Sequence, residues 1–104
     1  EALGDDSVLV RSDAAAATAR VLSDFWELVP LSVAVAMLKD LVSLCFDAAS
    51  AIVREVALDS VRQLLDHVSA VEVIKPHLPR LYTLAIDPHP KVREALMRLA
   101  AAAA

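Results

Sequence analysis

The side chains that most often do chemistry are few in this chain. A metal site would need His, Cys or carboxylate ligands at a defined spacing. However, His67, His77 and His89 are not directly followed by an acidic residue, and Cys45 is the only cysteine. A glycine-rich phosphate-binding loop is also excluded, because Gly4 is the only glycine. The sequence therefore predicts a chain that is not an enzyme, with no catalytic residue, metal, cofactor or small-molecule substrate.

The chain also lacks signs of a disulfide or a membrane span. A single cysteine cannot form an internal disulfide and suits a reducing compartment. Because Cys45 lies on an apolar helix face, we expect an inert, buried thiol. The longest apolar run, residues 28–38, contains Pro30 and falls short of the ~20 residues needed to cross a bilayer. We expect a soluble protein that does not bind membranes.

Charge is distributed unevenly. The net charge is −4, but residues 1–74 carry a balance of −7 and residues 75–104 a balance of +3. The acidic part argues against strong nucleic-acid binding by this chain alone, because such binding depends on neutralised phosphates. The basic part permits contacts with a DNA backbone. Its candidates are Lys75, His77, Arg80, Lys91 and Arg98.

One residue pattern occurs twice at a spacing of 40 residues. It consists of two leucines three residues apart, an aspartate three residues later, and then a Val-Arg pair. The copies are Leu41, Leu44, Asp47 and Val53-Arg54, and then Leu81, Leu84, Asp87 and Val92-Arg93. A partial copy with Asp5 and Val10-Arg11 opens the chain, so the Val-Arg pairs are 43 and then 39 residues apart. A helical repeat of roughly 40 residues is typical of an α-solenoid.

The predicted fold class is therefore all-α, an α-α superhelix of about two and a half antiparallel helix pairs. We expect residues 1–104 to form one segment of a longer solenoid, with repeats at approximately 1–30, 31–68 and 69–104. The first partner helix would be represented only by residues 1–4. Such a segment should expose an apolar edge.

Apolar residues at helical spacing define the helices that carry the Val-Arg pairs. The first spans about 51–67, and its buried stripe is Val56, Ala57, Val61, Leu64, Leu65 and Val68. Glu55, Asp59, Arg62 and Asp66 face outward, either as a recognition stripe or, as their spacing favours, as Asp59–Arg62 and Arg62–Asp66 ion pairs. The second has the buried stripe Val92, Ala95, Leu96 and Leu99.

Residues four positions before each arginine are the predicted N-caps of these helices, Ser7, Ser50 and His89. Pro90 then occupies a first helical position, where proline is tolerated. Ser32 is the predicted cap of a partner helix that ends near Asp47. The buried face of that helix would be Val35, Leu38, Leu41, Val42 and Cys45.

The third partner helix, residues 77–86, should be bent or broken near the prolines at 76 and 79. Residues 69–72 fit a capping box and indicate a short preliminary turn before it. Trp26 is either an exposed anchor for a partner or, as we expect, packed under the turn at Pro30.

A helix pair with Leu-x-x-Leu before an aspartate, followed by Val-Arg and a small residue, resembles the HEAT repeat. The clearest copy is residues 87–95, then 47–57, and 5–14 is weaker. In that family, turn aspartates and helix arginines form hydrogen-bonded ladders along the stack. The resemblance assigns structural roles to Asp47, Arg54, Asp87 and Arg93.

A narrower resemblance is to the G-type HEAT non-SMC subunits of condensin II complexes. Its segments are residues 1–5, 10–12, 20–23, 26–30, 46–50, 53–54 and 64–66. It implies a nuclear, chromosome-associated scaffold of mitotic chromosome condensation that binds the kleisin and works beside SMC ATPases. Candidate contacts with a partner or with DNA backbone are Arg62, Lys91 and Arg98. A HEAT scaffold of another kind, such as a phosphatase scaffold subunit or nuclear transport receptor, is the alternative.

Overall fold

The computed structural model describes the backbone of residues 2–104 and the side chains of residues 7–104. Helices account for most of this part of the chain, and no β-strand occurs within it. The predicted all-α class is therefore confirmed. The elements are α1 (Ala2–Asp24), α2 (Leu31–Leu44), α3 (Ala51–Leu64), α4 (Val68–Ile74), α5 (Leu78–Leu81) and α6 (Pro90–Ala103), with 3-10 turns at Lys75–His77 and Tyr82–Ile86.

The helices that carry the two clearest Val-Arg pairs begin where the sequence predicts. Ser50 has an extended backbone, and its hydroxyl accepts a hydrogen bond from the Val53 amide at 3.3 Å. At α6, His89 occupies the N-cap position and Pro90 is the first helical residue. The missing proline amide costs no hydrogen bond there, because the first amides of a helix have no intrahelical partner.

Two other predicted caps are wrong. Ser7 lies inside α1, which continues from residue 2 to residue 24, so the predicted break between a partner helix and a Val-Arg helix is absent. No proline interrupts this stretch, and a continuous helix keeps its amides hydrogen-bonded. α2 begins at Leu31, one residue before Ser32. Pro30 takes the N-cap position, and its carbonyl accepts the Ala34 amide at 3.0 Å.

The end of α3 comes three residues earlier than predicted. The chain leaves the helix after Leu64 through tightened hydrogen bonds, including one from the His67 amide to the Leu64 carbonyl at 3.1 Å. Val68 then starts α4 and is 87% exposed instead of lying on the buried stripe. A new helix axis cannot continue the stripe of the previous helix, because the periodicity restarts after the turn.

The third partner helix is broken, as the prolines predict. A 3-10 turn contains Pro76, Pro79 stands at the start of the four-residue α5, and a second 3-10 turn completes the segment. The capping box predicted for residues 69–72 is wrong, because His67 is the N-cap residue of α4 and Ser69 lies within that helix. The expected short turn is instead a seven-residue helix.

The core is organised around α3, which packs against α1, α2 and α6. Of the predicted α2 face, every residue except the half-buried Val35 is at most 2% exposed. The stripe predicted for α6 is buried throughout. The largest fully buried side chains are Leu22, Leu41, Val42, Cys45, Val53, Leu58, Val61, Leu64, Ile74, Leu81, Val92 and Leu99. None of the described helices is long and apolar enough to cross a membrane.

Candidate functional site

An arginine on α1 contacts the turn that follows α2. Arg11 Nε donates to Asp47 Oδ2 at 2.6 Å, and Arg11 Nη2 donates to Oδ1 at 3.3 Å. The same carboxylate accepts the amides of Ala49 and Ser50, each at 3.0 Å. Arg11 Nη1 also donates to the Ser7 hydroxyl. This first pair, Arg11–Asp47, joins two elements 36 residues apart and orders the turn that leads into α3.

The second pair, Arg54–Asp87, repeats this geometry with an arginine 43 positions and an aspartate 40 positions later in the chain. Arg54 Nε donates to Asp87 Oδ2 at 2.8 Å, and Nη2 donates to Oδ1 at 3.2 Å. Arg54 Nη1 donates to the carbonyl oxygen of Asp47 at 2.7 Å, and Nη2 also lies 3.2 Å from Nδ1 of His89. The two side chains are 11% and 5% exposed. One guanidinium thus links its own turn to the next one.

Both aspartates are held in the ionised form. Burial of Asp47 opposes its charge, but hydrogen bonds from Arg11 and from two turn amides prevail and lower its pKa below the ordinary value. The pKa of Asp87 is lowered in the same way, against its burial, by Arg54 and by the His89 amide. Charge-assisted hydrogen bonds to a carboxylate favour its ionised state.

Arg93 occupies the position of Arg54 on the last helix. Its Nη1 donates to the Asp87 carbonyl at 2.6 Å, as Arg54 Nη1 does to the Asp47 carbonyl. Within the described side chains, no carboxylate lies within 4.0 Å of Arg93, and its side chain is exposed. The structure therefore places the four residues assigned to a ladder in one series of contacts. Arg11, which belongs to the weakest repeat copy and was not assigned a role, joins them.

The outward face of α3 forms a different ion pair from the one expected. Asp59 accepts bonds from Arg98 of α6, with Nε at 3.2 Å and Nη2 at 3.0 Å. Within residues 7–104, no ion pair within 4.0 Å joins Arg62 to Asp59 or Asp66. The predicted local pairs are therefore wrong. A two-point contact with the planar guanidinium on the neighbouring helix replaces them.

The three candidate contact residues differ in what they already bind. All three side chains are exposed, Arg98 by 45%. Arg98 also forms an ion pair with Asp59. In the wider basic group, Lys75 Nζ lies 3.2 Å from Glu72 Oε2, and the Arg80 guanidinium lies 4.3 Å from the centre of the Phe46 ring. Several of these cations are thus partly neutralised or shielded by the chain itself.

Trp26 is half-buried and packed against the core. Its ring stacks on His67 with centroids 5.9 Å apart and planes 24° apart, and its Nε1 donates to the Ser69 hydroxyl. His67 Nε2 lies 3.2 Å from the Ser23 hydroxyl. These contacts tie the end of α1 to the start of α4. Residues 43 and 44 apart meet here, so no local pattern signals the contact.

The single cysteine is held in an unreactive setting. Cys45 is fully buried, its thiol lies 3.6 Å from the Leu41 carbonyl, and burial raises its pKa to about 12. Within the described side chains, no group of three or more His, Cys, Asp or Glu residues could hold a metal ion. An open groove of about 280 Å³ lies between α1 and α3. It is lined by Ala16, Val56, Asp59, Ser60 and Gln63.

The two Arg–Asp pairs join parts of the chain that are 36 and 33 residues apart. The exposed surface carries ion pairs, such as Asp59–Arg98 with side chains 41% and 45% exposed, and apolar side chains such as Ile86 and Met97. Comparison with protein-family models, curated proteins and solved structures found no match to this chain.

Proposed function

We propose that this chain is part of a HEAT-type α-solenoid and serves as a non-catalytic scaffold for protein partners. The observation that carries the proposal is the repetition of the first and second pairs. In each pair, two nitrogens of an arginine on one helix donate hydrogen bonds to the turn aspartate of the next unit. A contact that recurs with the sequence repeat is what a stack of equivalent units requires.

The packing around α3 supports the same proposal. α3 lies between α1 and α6 and contacts both extensively, so one helix of each unit stacks against its counterparts in the neighbouring units. Extended stacks of this kind bind other proteins along their surfaces. In this proposal, the Arg–Asp pairs hold successive units in register, and the exposed helix faces are available to partners.

Within the class of HEAT scaffolds, we assign the chain to a condensin-type chromosome-organising complex. The support is the order and spacing of the sequence segments that resemble the G-type subunits of condensin II. In this assignment the partners are the kleisin and the SMC subunits, and ATP hydrolysis belongs to the SMC subunits. The chain then acts as a scaffold in the nucleus during mitotic chromosome condensation.

A binding experiment tests the condensin assignment. The purified chain is titrated calorimetrically with the condensin II kleisin and, in parallel, with the kleisin of a different SMC complex as the control. Saturable binding to the first kleisin alone is the expected result. Binding to neither kleisin, together with binding to a phosphatase catalytic subunit or to a transport cargo, would replace this assignment by the alternative scaffold class.

DNA engagement is the second part of the proposal, and it rests on Arg62, Lys91 and Arg98. All three side chains are exposed, so phosphate groups can reach them. Contacts of this kind position a protein on the DNA backbone without reading the base sequence. Because the chain carries a net charge of −4, we place this contact within the larger assembly, where partner subunits add to the phosphate contacts.

The ion pair with Asp59 offers a sharp test of the DNA contact. In the kleisin-bound complex, replacing Lys91 and Arg98 with glutamate should weaken DNA binding on all sequences and flatten its salt dependence. The matched variant Asp59→Asn should strengthen binding, because it removes a carboxylate that competes with phosphate for Arg98. Unchanged DNA affinity and salt dependence in both folded variants would overturn the assignment of this surface to DNA.

A further inference from the structure

The turn that follows α1 is in contact with the turn that joins α3 to α4. Trp26, in the first turn, stacks on His67 in the second, with ring centroids 5.9 Å apart. Trp26 Nε1 donates to the Ser69 hydroxyl, and the Ser23 hydroxyl lies 3.2 Å from His67 Nε2. These contacts hold the two turns together, so the exposed side chains around them belong to one region of the surface. The region spans a contact between two units that are both present in the chain.

Both turns expose large apolar side chains. Phe25 and Leu28, in the turn that carries Trp26, are 51% and 79% exposed. The Leu28 amide donates to the Phe25 carbonyl at 2.8 Å, so these two residues lie in one tight turn. Val68, which directly follows His67 and begins α4, is 87% exposed. Apolar side chains that are exposed in one region favour contact with a partner.

The same turns carry carboxylates and no lysine or arginine. Asp24 and Glu27 lie beside the apolar residues of the first turn, Asp66 lies in the second, and all three are exposed. Within the described side chains, no lysine or arginine nitrogen lies within 4.0 Å of these carboxylates. Residues 21–38 and 63–74 contain no lysine or arginine at all. The region is therefore both apolar and negatively charged.

We name this region the turn surface, and it comprises the exposed apolar and acidic residues of the two turns, Asp24, Phe25, Glu27, Leu28, Asp66 and Val68. We propose that the turn surface docks a basic amphipathic segment of a partner protein, in which lysines or arginines flank a row of apolar side chains.

The argument for this partner is charge complementarity. Apolar side chains of the partner would cover the exposed apolar groups, while its cations would meet the three carboxylates. Nucleic acids and anionic lipid surfaces carry charge of the wrong sign for this region. Because the apolar area is small, the contact is weak and reversible. The inference does not depend on the proposed function, since the turn surface contains none of Arg62, Lys91 and Arg98.

Titration calorimetry of the whole chain with a synthetic peptide tests the proposal. The probe is a peptide of about 18 residues, long enough to form a helix, with leucines along one face and lysines elsewhere. It should bind saturably, and more weakly as the salt concentration rises, because salt screens exposed charges. A peptide with the same leucines and with glutamate in place of every lysine is the control and should not bind.

Two double variants separate the apolar contacts from the charged ones. Leu28→Ser with Val68→Ser removes apolar contacts, and Glu27→Lys with Asp66→Lys reverses two charges. Each double variant should weaken binding of the lysine peptide by about tenfold or more. The charge-reversed variant should also lose the salt dependence. All four positions are exposed, so both variants should fold like the parent, which circular dichroism checks.

Matched control substitutions lie outside the turn surface. Ile86 is 88% exposed and Glu94 is exposed, so Ile86→Ser and Glu94→Lys should leave the affinity unchanged. Failure of the lysine peptide to bind, equal binding of the glutamate peptide, or equal sensitivity to the control substitutions would each overturn the proposal. So would a dimer of the parent chain, seen by sedimentation, that the apolar double variant abolishes, because a second copy would then occupy the turn surface.

Discussion

Replacing Arg54 with methionine should cost far more stability than the equivalent replacement of Arg93. Methionine keeps much of the aliphatic length but removes two bonds to the Asp87 carboxylate and one to the Asp47 carbonyl. The carboxylate of Asp87, 5% exposed, would keep only the His89 amide as a hydrogen-bond donor. Breaking a buried ion pair from one side typically costs about 3–5 kcal/mol.

Arg93→Met is the matched control, because Arg93 is the residue equivalent to Arg54 on α6. Among the described residues, its side chain bonds only to the Asp87 carbonyl. Its loss should cost about 1 kcal/mol. Urea unfolding followed by circular dichroism gives both free energies of unfolding, provided that the slopes agree. The double variant Arg54→Met, Asp87→Asn should lose less than the sum of the single changes, because the unpaired carboxylate is gone. An Arg54→Met cost within about 1 kcal/mol of that of the control would refute the reasoning.

Three further outcomes follow from burial and charge. Since the pKa values of Asp47 and Asp87 are lowered on folding, their stabilisation is present above the unfolded value of 3.8 and lost as pH falls through the lower folded values; urea midpoints measured from pH 6 to pH 2 should therefore decline mainly below about pH 4. Val53→Asp should abolish cooperative thermal unfolding because the side chain is fully buried, whereas Ile52→Asp, at a position that is 59% exposed, should leave the melting temperature within a few degrees. Cys45 should react with a thiol reagent at neutral pH only after denaturation, and rapid labelling of the native chain would contradict its burial.

Local signals in the sequence were sufficient where short-range physics decides the structure. The start of α3 follows from the Ser50 hydroxyl, which accepts a bond from an amide only three residues away. The broken segment follows from Pro76 and Pro79, because each lacks an amide that a regular helix would use. The buried stripe of α6 follows from helical spacing alone, since one helix axis runs through all its residues.

Contacts between distant residues decided the cases that the sequence analysis missed. Asp59 lies at a favourable spacing from Arg62 but binds Arg98, 39 residues later, because α6 brings a guanidinium across the α3 surface. Local spacing cannot show which helices become neighbours. The contact of Trp26 with His67 has the same origin. The continuity of α1 through residue 7 has a local cause, because no proline interrupts this stretch.

The segmented stretch between α4 and α6 also has a mechanical consequence. Residues 75–86 alternate between 3-10 turns and a single four-residue helix, whereas α3 and α6 are continuous over 14 residues each. Hydrogen bonds in 3-10 turns have poorer geometry and resist distortion less. We therefore expect residues 75–86 to deform more easily than the rest of the fold. When the chain bends, this compliance should allow the continuous helices to keep their shape. Faster amide hydrogen exchange in residues 75–86 than in α3 would be the signature of this compliance.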